Sequence, residues 1–298
     1  MSRQREDVAR GNWSGEGLRG RVIATLPVTE RRLDVAGMST AVLDGGQGQP
    51  VVFVQAEHAL VWLRVLPELV RTHRVVAPDL PGLGETELPP GRYDIDTALG
   101  WLGELVEHTC DTPPVLVGKG PAGAIAARFA LRHGDRLAGL VLVDAHGLEK
   151  FRPRPGMALS YFGVMLRPTQ ERVERSLGTY CFTDLDRVRA DLGERWDWFS
   201  AYTVEFFRTP TVKKAMRTLL PRLGKALPPS ELIRIRVPTT LIWGRQDLAM
   251  PVGVAEAASA RYGWPLHVID DARDDPAIEQ PDAFLHALHG ALNSCSTA

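Results

Sequence analysis

Cysteine is scarce in this chain. Cys110, Cys181 and Cys295 are three in 298 residues, odd in number and far apart. No paired spacing joins them, which excludes a disulfide frame or a zinc site and fits reduced thiols. A basic excess is missing too: 35 Lys and Arg stand against 36 Asp and Glu, a net charge of -1. Nothing is there to neutralise a phosphate backbone, so nucleic acid is not expected as a partner. No apolar run approaches the ~20 residues that span a bilayer. The start MSRQREDVARGNW carries no apolar stretch of the secretory kind, so a cytoplasmic protein with no membrane partner is expected. No Gly-rich phosphate loop follows a strand, and no His/Cys/Asp group has metal spacing; no cofactor and no metal are expected. What is present is 44% hydrophobic and 24% charged residues, enough apolar mass for one large domain or a domain with an insert.

Pattern divides the chain into three. Residues 1–28 are polar, rich in Arg and Gly and weakly periodic, and read as a loosely attached extension. Short strand-like runs at 30–35 and 39–44 predict a hairpin, and 51–55, 74–77, 114–117 and 140–144 predict buried strands. Helical spacing appears at 61–70, 95–108 and 122–132. From 147 to 236 prolines punctuate helical stretches and strands are missing, which reads as a helical lid inserted in the core. Alternation then resumes, with strands at 239–243 and 266–269 and helices at 254–262 and 281–292. Alternating β and α units over 29–146 and 237–298 predict an α/β core, a mostly parallel sheet flanked by helices.

Several motifs resemble those of the α/β-hydrolase fold. Pro78-Asp79-Leu80-Pro81-Gly82-Leu83-Gly84-Glu85-Thr86 is similar to that family's D-x-P-G-x-G-x-S loop, and Trp243-Gly244-Arg245-Gln246-Asp247 to the strand end carrying its acid. Ala130-Leu131-Arg132-His133-Gly134-Asp135-Arg136 is similar to the segment after its nucleophile helix. Glu279-Gln280-Pro281 resembles a tripeptide just past its histidine. The resemblance implies a nucleophile on a G-x-S-x-G turn, completed by an acid and a histidine. Here that turn reads Gly118-Lys119-Gly120-Pro121-Ala122-Gly123, which puts Gly120 in the nucleophile position. Asp274 falls where the histidine is expected. Pro121, following Gly120, has no N–H to give an oxyanion, and a lost donor there costs ~10²–10³ in rate. The other oxyanion loop reads Gln55-Ala56-Glu57-His58 in place of an opening His-Gly. Of the implied triad, only Asp247 matches, and the resemblance therefore implies a divergent member without nucleophile or histidine.

The resemblance places the remaining polar groups at the carboxyl ends of the strands, where open α/β sheets bind ligands. His58, Glu57, Asp247 and Asp274 are the candidate catalytic residues. Gln55, Ala56, Lys119, Gly120, Pro121 and His146 are candidates for binding substrate, Gly120 by widening the floor. Asp144 is a weaker partner for His146. Asp274 also sits in the run Asp270-Asp271-Ala272-Arg273-Asp274-Asp275, which on its own reads as a solvated loop. Lys119, one of five lysines, stands where the side chain often points away from substrate. In the lid, Trp198, Tyr202 and Phe206 recur at helical spacing, as an inward face for a large, flat, aromatic or polyketide-like ligand would, though lid-to-core packing uses the same residues.

The function expected is a cofactor-independent, non-hydrolytic enzyme of secondary metabolism, such as antibiotic biosynthesis. Aldol or Michael-type C–C bond formation, cyclisation or isomerisation would proceed by orientation with acid/base help. A non-catalytic receptor or carrier is the alternative, and a hydrolase with a rearranged site the third. A monomer or homodimer is expected.

Overall fold

Side chains along each central strand alternate between two hydrophobic layers, and that alternation organises the molecule. The computed structural model describes residues 17–296. The strands are β1 Thr29–Val35, β2 Met38–Gly45, β3 Pro50–Val54, β4 Arg74–Pro78, β5 Val115–Lys119, β6 Gly139–Val143, β7 Thr239–Gly244 and β8 Leu266–Ile269. They form one sheet in the order β1-β2-β4-β3-β5-β6-β7-β8, antiparallel at β1/β2 and β2/β4 and parallel from β4 onward. Val52, Val54, Leu116, Leu140, Leu142 and Trp243 face one core, and Val51, Phe53, Val115, Val117, Val141 and Ile242 the other. Central strands buried on both faces need such continuous apolar runs.

The main helices are α1 Leu18–Ile23, α2 Ile95–Thr109, α3 Gly123–His133, α4 Pro155–Leu166, α5 Gln170–Ser176, α6 Leu185–Leu192, α7 Glu194–Arg208, α8 Pro210–Leu223, α9 Val252–Tyr262 and α10 Pro281–Ser296. Helices α2, α3 and α9 cover one face; α10 and the segment around Leu60–Leu69 cover the other. Asp94 starts α2 by accepting the Thr97 N–H at 3.1 Å, an N-cap that offsets one orphan donor. The sequence thus assigns the strands and the helices at 95–108, 122–132, 254–262 and 281–292 correctly. Helices α4–α8 lie between β6 and β7, where a helical insert is expected.

Two expectations differ. The helix expected over 61–70 is two short turns, Ala59–Trp62 and Leu66–Leu69, because Pro67 sits where an unbroken helix would need its N–H. The described part of the supposed loose extension is docked. Helix α1 packs on α7, and the buried Arg19 pairs with Glu30 at 2.6 Å and Asp79 at 3.1 Å. Burial opposes its charge, but Asp79, Tyr202 and Glu30 outweigh that and hold its pKa above the usual value. Residues 1–16 lie outside the described part.

Candidate functional site

The end of β5 turns sharply into α3 through Gly120, whose φ is +51°. The turn is tight because its flanking glycines allow it. A Cβ on Gly118 would lie 2.5 Å from the Ala126 Cβ, and one on Gly123 2.4 Å from the Ala145 Cβ. Gly120 is different: a Cβ there would meet nothing within 4 Å. Backbone conformation, not crowding, is what favours glycine at this corner. Pro121 follows in the first helical turn, where its missing N–H costs the fold nothing.

Lys119, just before the corner, is fully buried. Its Nζ lies 2.9 Å from Asp275 Oδ1, 3.2 Å from Glu57 Oε1 and 3.9 Å from Asp274 Oδ2. Burial works against its charge, yet the three carboxylates outweigh it and hold the ammonium's pKa well above the ordinary lysine value. Asp275, absent from the sequence-derived candidates, is pushed up to about 7 by burial despite Lys119 beside it. The backbone just before Asp274 is held by a carboxylate further on. Glu279 accepts the Arg273 N–H at 2.6 Å and the Thr183 N–H and hydroxyl at 2.5 Å each.

Asp144 and Asp247 sit deeper, at the ends of β6 and β7. Asp144, with φ +44°, accepts the Gly244 N–H at 2.8 Å; Asp247 accepts the Ala249 N–H at 2.7 Å. The second oxygen of each is buried without a hydrogen-bond partner among the described residues. Burial first, then neighbouring carboxyls, raises both pKa values well above the carboxylate range. Burial and like charge both disfavour the ionised form.

Above this floor opens a cavity of about 700 Å³, apolar over most of its wall. Ala56, Glu57, His58, Pro121, His146, Asp274 and Asp275 line its base, and helices α4, α7 and α8 its sides. His58 is buried against the edges of Phe199, Tyr202 and Phe206. Its Nε2 lies 3.0 Å from the Thr203 hydroxyl, which itself donates to the Phe199 carbonyl at 2.8 Å. The tautomer decides which of Nε2 and the Thr203 hydroxyl donates, and Nδ1 is buried with no hydrogen-bond partner among the described residues. Burial, with Arg19 adding to it, lowers the His58 pKa to about 3; burial lowers that of His146, tilted against Phe151, to about 4. Both rings are neutral bases near pH 7.

Not every candidate reaches the cavity. Gln55 is spent on structure, donating to the Pro78 carbonyl at 2.8 Å and accepting from Trp62 Nε1 at 2.7 Å. Lys119, Gly120 and Asp247 lie behind or beneath the wall. The inward face of α7 is rotated from the Trp198–Tyr202–Phe206 stripe: Phe199, Thr203, Phe206 and Phe207 line the cavity. Trp198 packs against the core below, and Tyr202 turns to Arg19, whose guanidinium donates to its hydroxyl at 3.3 Å. Cys181 was also missed; its Sγ and oxygens of Asp274 and Asp275 lie within 4.8 Å of one another, close enough for a metal ion. The donor set fits one poorly. Lys119 already supplies the cation there, and burial followed by both carboxylates raises the thiol's pKa well above its usual value.

Residues 49–281 match a family described as alpha/beta hydrolase fold. Among curated proteins, the 2-hydroxy-6-oxo-6-(2'-aminophenyl)hexa-2,4-dienoic acid hydrolase of Metapseudomonas resinovorans is 25% identical over 89% of this chain and 91% of its own. The pimeloyl-[acyl-carrier protein] methyl ester esterase of Aeromonas hydrophila is 26% identical, over 84% and 98%. The solved 2-hydroxy-6-oxo-6-phenylhexa-2,4-dienoate hydrolase from Rhodococcus sp. strain RHA1 superposes with a TM-score of 0.75 at 19% identity, covering 89% of this chain and 99% of that one. Among the described residues no helix is long and apolar enough to cross a membrane.

Proposed function

Because the chain belongs to the alpha/beta hydrolase fold family, whose relatives named above are hydrolases, we propose that it keeps their ligand pocket without their covalent chemistry. In this reading Gly120 and Asp274 occupy the nucleophile and histidine positions. The protein is a cofactor-independent acid–base enzyme acting on a large, ring-bearing small molecule. The observation that carries this is the empty corner. Space for a side chain exists at Gly120, with no atom within 4 Å of its Cβ position, and Pro121 beside it cannot donate to an oxyanion.

Asp275 lines the cavity beside Asp274 and has a pKa of about 7, so its own carboxyl can both take and return a proton at neutral pH. His58 stands opposite as a neutral ring whose low pKa leaves it a weak base, so the carboxyl side carries the proton. Such a site suits proton transfer at a carbon acidified by a neighbouring carbonyl, the step shared by isomerisation, cyclisation and aldol or Michael-type C–C bond formation. The apolar wall with Phe199, Phe206 and Phe207 supports an aromatic or polyketide-like ligand. So does a relative named for an oxo-dienoic acid that carries a ring.

One observation favours a receptor or carrier instead: the floor's polar groups are largely engaged, Lys119 with its carboxylates and Asp144 and Asp247 by one oxygen each with a backbone amide. The hydrolase with a rearranged site lacks such support, since His58 bonds Thr203 while Asp247 bonds Ala249.

The test is in two stages. p-Nitrophenyl acetate should give neither turnover nor a burst of nitrophenolate; a pocket-dependent burst sinks the reading. The ligand retained through purification, identified by mass spectrometry, is then incubated with the protein and with Asp274→Ala. Conversion lost with binding retained supports the enzyme, and binding without conversion in either protein supports the receptor.

A further inference from the structure

Helix α4 carries an apolar stripe on its outer side. Leu159, Phe162 and Leu166, spaced three and four apart, share one face and are 71%, 63% and 70% exposed. Such a stripe on a soluble surface marks an interaction site. Its surroundings are cationic. Residues 147–236 hold 17 Lys and Arg against 10 Asp and Glu, a net +7 in a chain whose total is -1, which leaves -8 for the rest. Arg152 and Arg154 precede α4 and Arg167 ends it, while α8 turns Lys214 and Arg217 outward. Among the described residues none of these five makes an ion pair. The stripe and the cations meet at one opening. Phe162, Leu166, Lys213 and Arg217 all line the cavity, and Tyr161 on α4 donates to Met216 Sδ on α8 at 3.1 Å across it.

We propose that this face docks on an anionic lipid bilayer. Leu159, Phe162 and Leu166 enter the boundary between headgroups and acyl chains, and Arg152, Lys214 and Arg217 lie at the level of the phosphates. An exposed apolar stripe flanked by cations suits that interface, and cations near an anionic leaflet add to the apolar contact. Charge decides against a second copy of the chain, because a self-complementary contact sets one positive face on another. It also explains the free cations, which the protein itself leaves unneutralised. The docked orientation opens the apolar cavity toward lipid, giving a poorly soluble ligand a route that avoids water. The docking goes beyond the proposed chemistry and does not depend on it.

The test is co-sedimentation of the full chain with phosphatidylcholine vesicles that contain or lack phosphatidylglycerol. Binding is expected to the anionic vesicles alone and to weaken as salt rises. Leu159→Asp with Phe162→Asp should reduce it by about a hundredfold or more, from the apolar burial lost. Arg152→Glu or Lys214→Glu should reduce it by at least about fivefold. All four positions are on the surface, so unchanged thermal melts will show that the variants fold. Failure to bind anionic vesicles overturns the proposal, and so does binding that the double variant retains. A homodimer, or a complex with an acidic carrier protein, abolished by the same double variant while vesicles are ignored would assign the face to that partner and overturn it equally.

Discussion

Lys119 Nζ stands 2.9 Å from Asp275 Oδ1 at the foot of the cavity, and each is the other's main compensation for burial. Removing one partner of such a pair is costly because the other stays behind. Lys119→Met should destabilise the protein by about 3–5 kcal/mol. Urea unfolding of Lys119→Met, Asp275→Asn and the double variant checks this, since the double should recover part of the loss. If the two single losses simply add, the pair is not coupled.

Acid should weaken the fold through the buried histidines. The folded-state pKa of His58 is about 3 against 6.5 when unfolded, and that of His146 about 4. The unfolded chain therefore binds protons that the folded one refuses. Their contribution is whole above pH 6.5 and is lost as pH falls toward 4 and then 3. For His58 alone the loss at pH 5 is about 2 kcal/mol. Asp275 acts oppositely: with a folded pKa of about 7 against 3.8, its contribution is whole below pH 3.8 and is lost as pH rises to 7. Chemical denaturation at pH 7 and pH 5 should show a smaller acid penalty in His58→Gln than in the parent, and equal penalties would refute the assignment.

The three glycines of the turn should respond differently to a side chain. Gly118→Ala and Gly123→Ala push a methyl to 2.5 and 2.4 Å from neighbouring carbons, and each should cost about 1–3 kcal/mol by overpacking. Gly120→Ser has room and should cost about 1–2 kcal/mol, from its positive φ alone. Gly120→Ser, Pro121→Met and Asp274→His together should give a slow nitrophenolate burst from p-nitrophenyl acetate. A folded but inert triple variant would contradict the assignment of these positions.

Arg19 joins α1 to β1, to the loop after β4 and to α7 at once. Arg19→Ala leaves Asp79 buried without its cation and should cost about 3–5 kcal/mol. Limited proteolysis should then cut first near α1, and a cleavage pattern identical to the parent's would show that α1 is held by something else.

The core was readable because its strands are short apolar runs bounded by turns, and the corner because Gly118 to Gly123 keep the spacing a tight strand-to-helix turn needs. The site was less so. Thr203 interrupts the aromatic stripe of α7, which hides the face of Phe199, Phe206 and Phe207 behind the more regular Trp198, Tyr202 and Phe206. Lys119 adjoins the corner in sequence, but its partners come from 57 and from 274–275, a meeting that only the folded sheet creates. Asp275 stood beside a named candidate, and nothing in local spacing separates the two. Helix α1 is six residues long and has no apolar period to announce it.

The separation of charge between the helical insert and the sheet has an effect before any contact is made. A positive end at the cavity mouth and a negative body give the molecule a lasting dipole. Long-range torque would turn it in any strong field, so that encounters with negatively charged surfaces begin with the entrance already facing them.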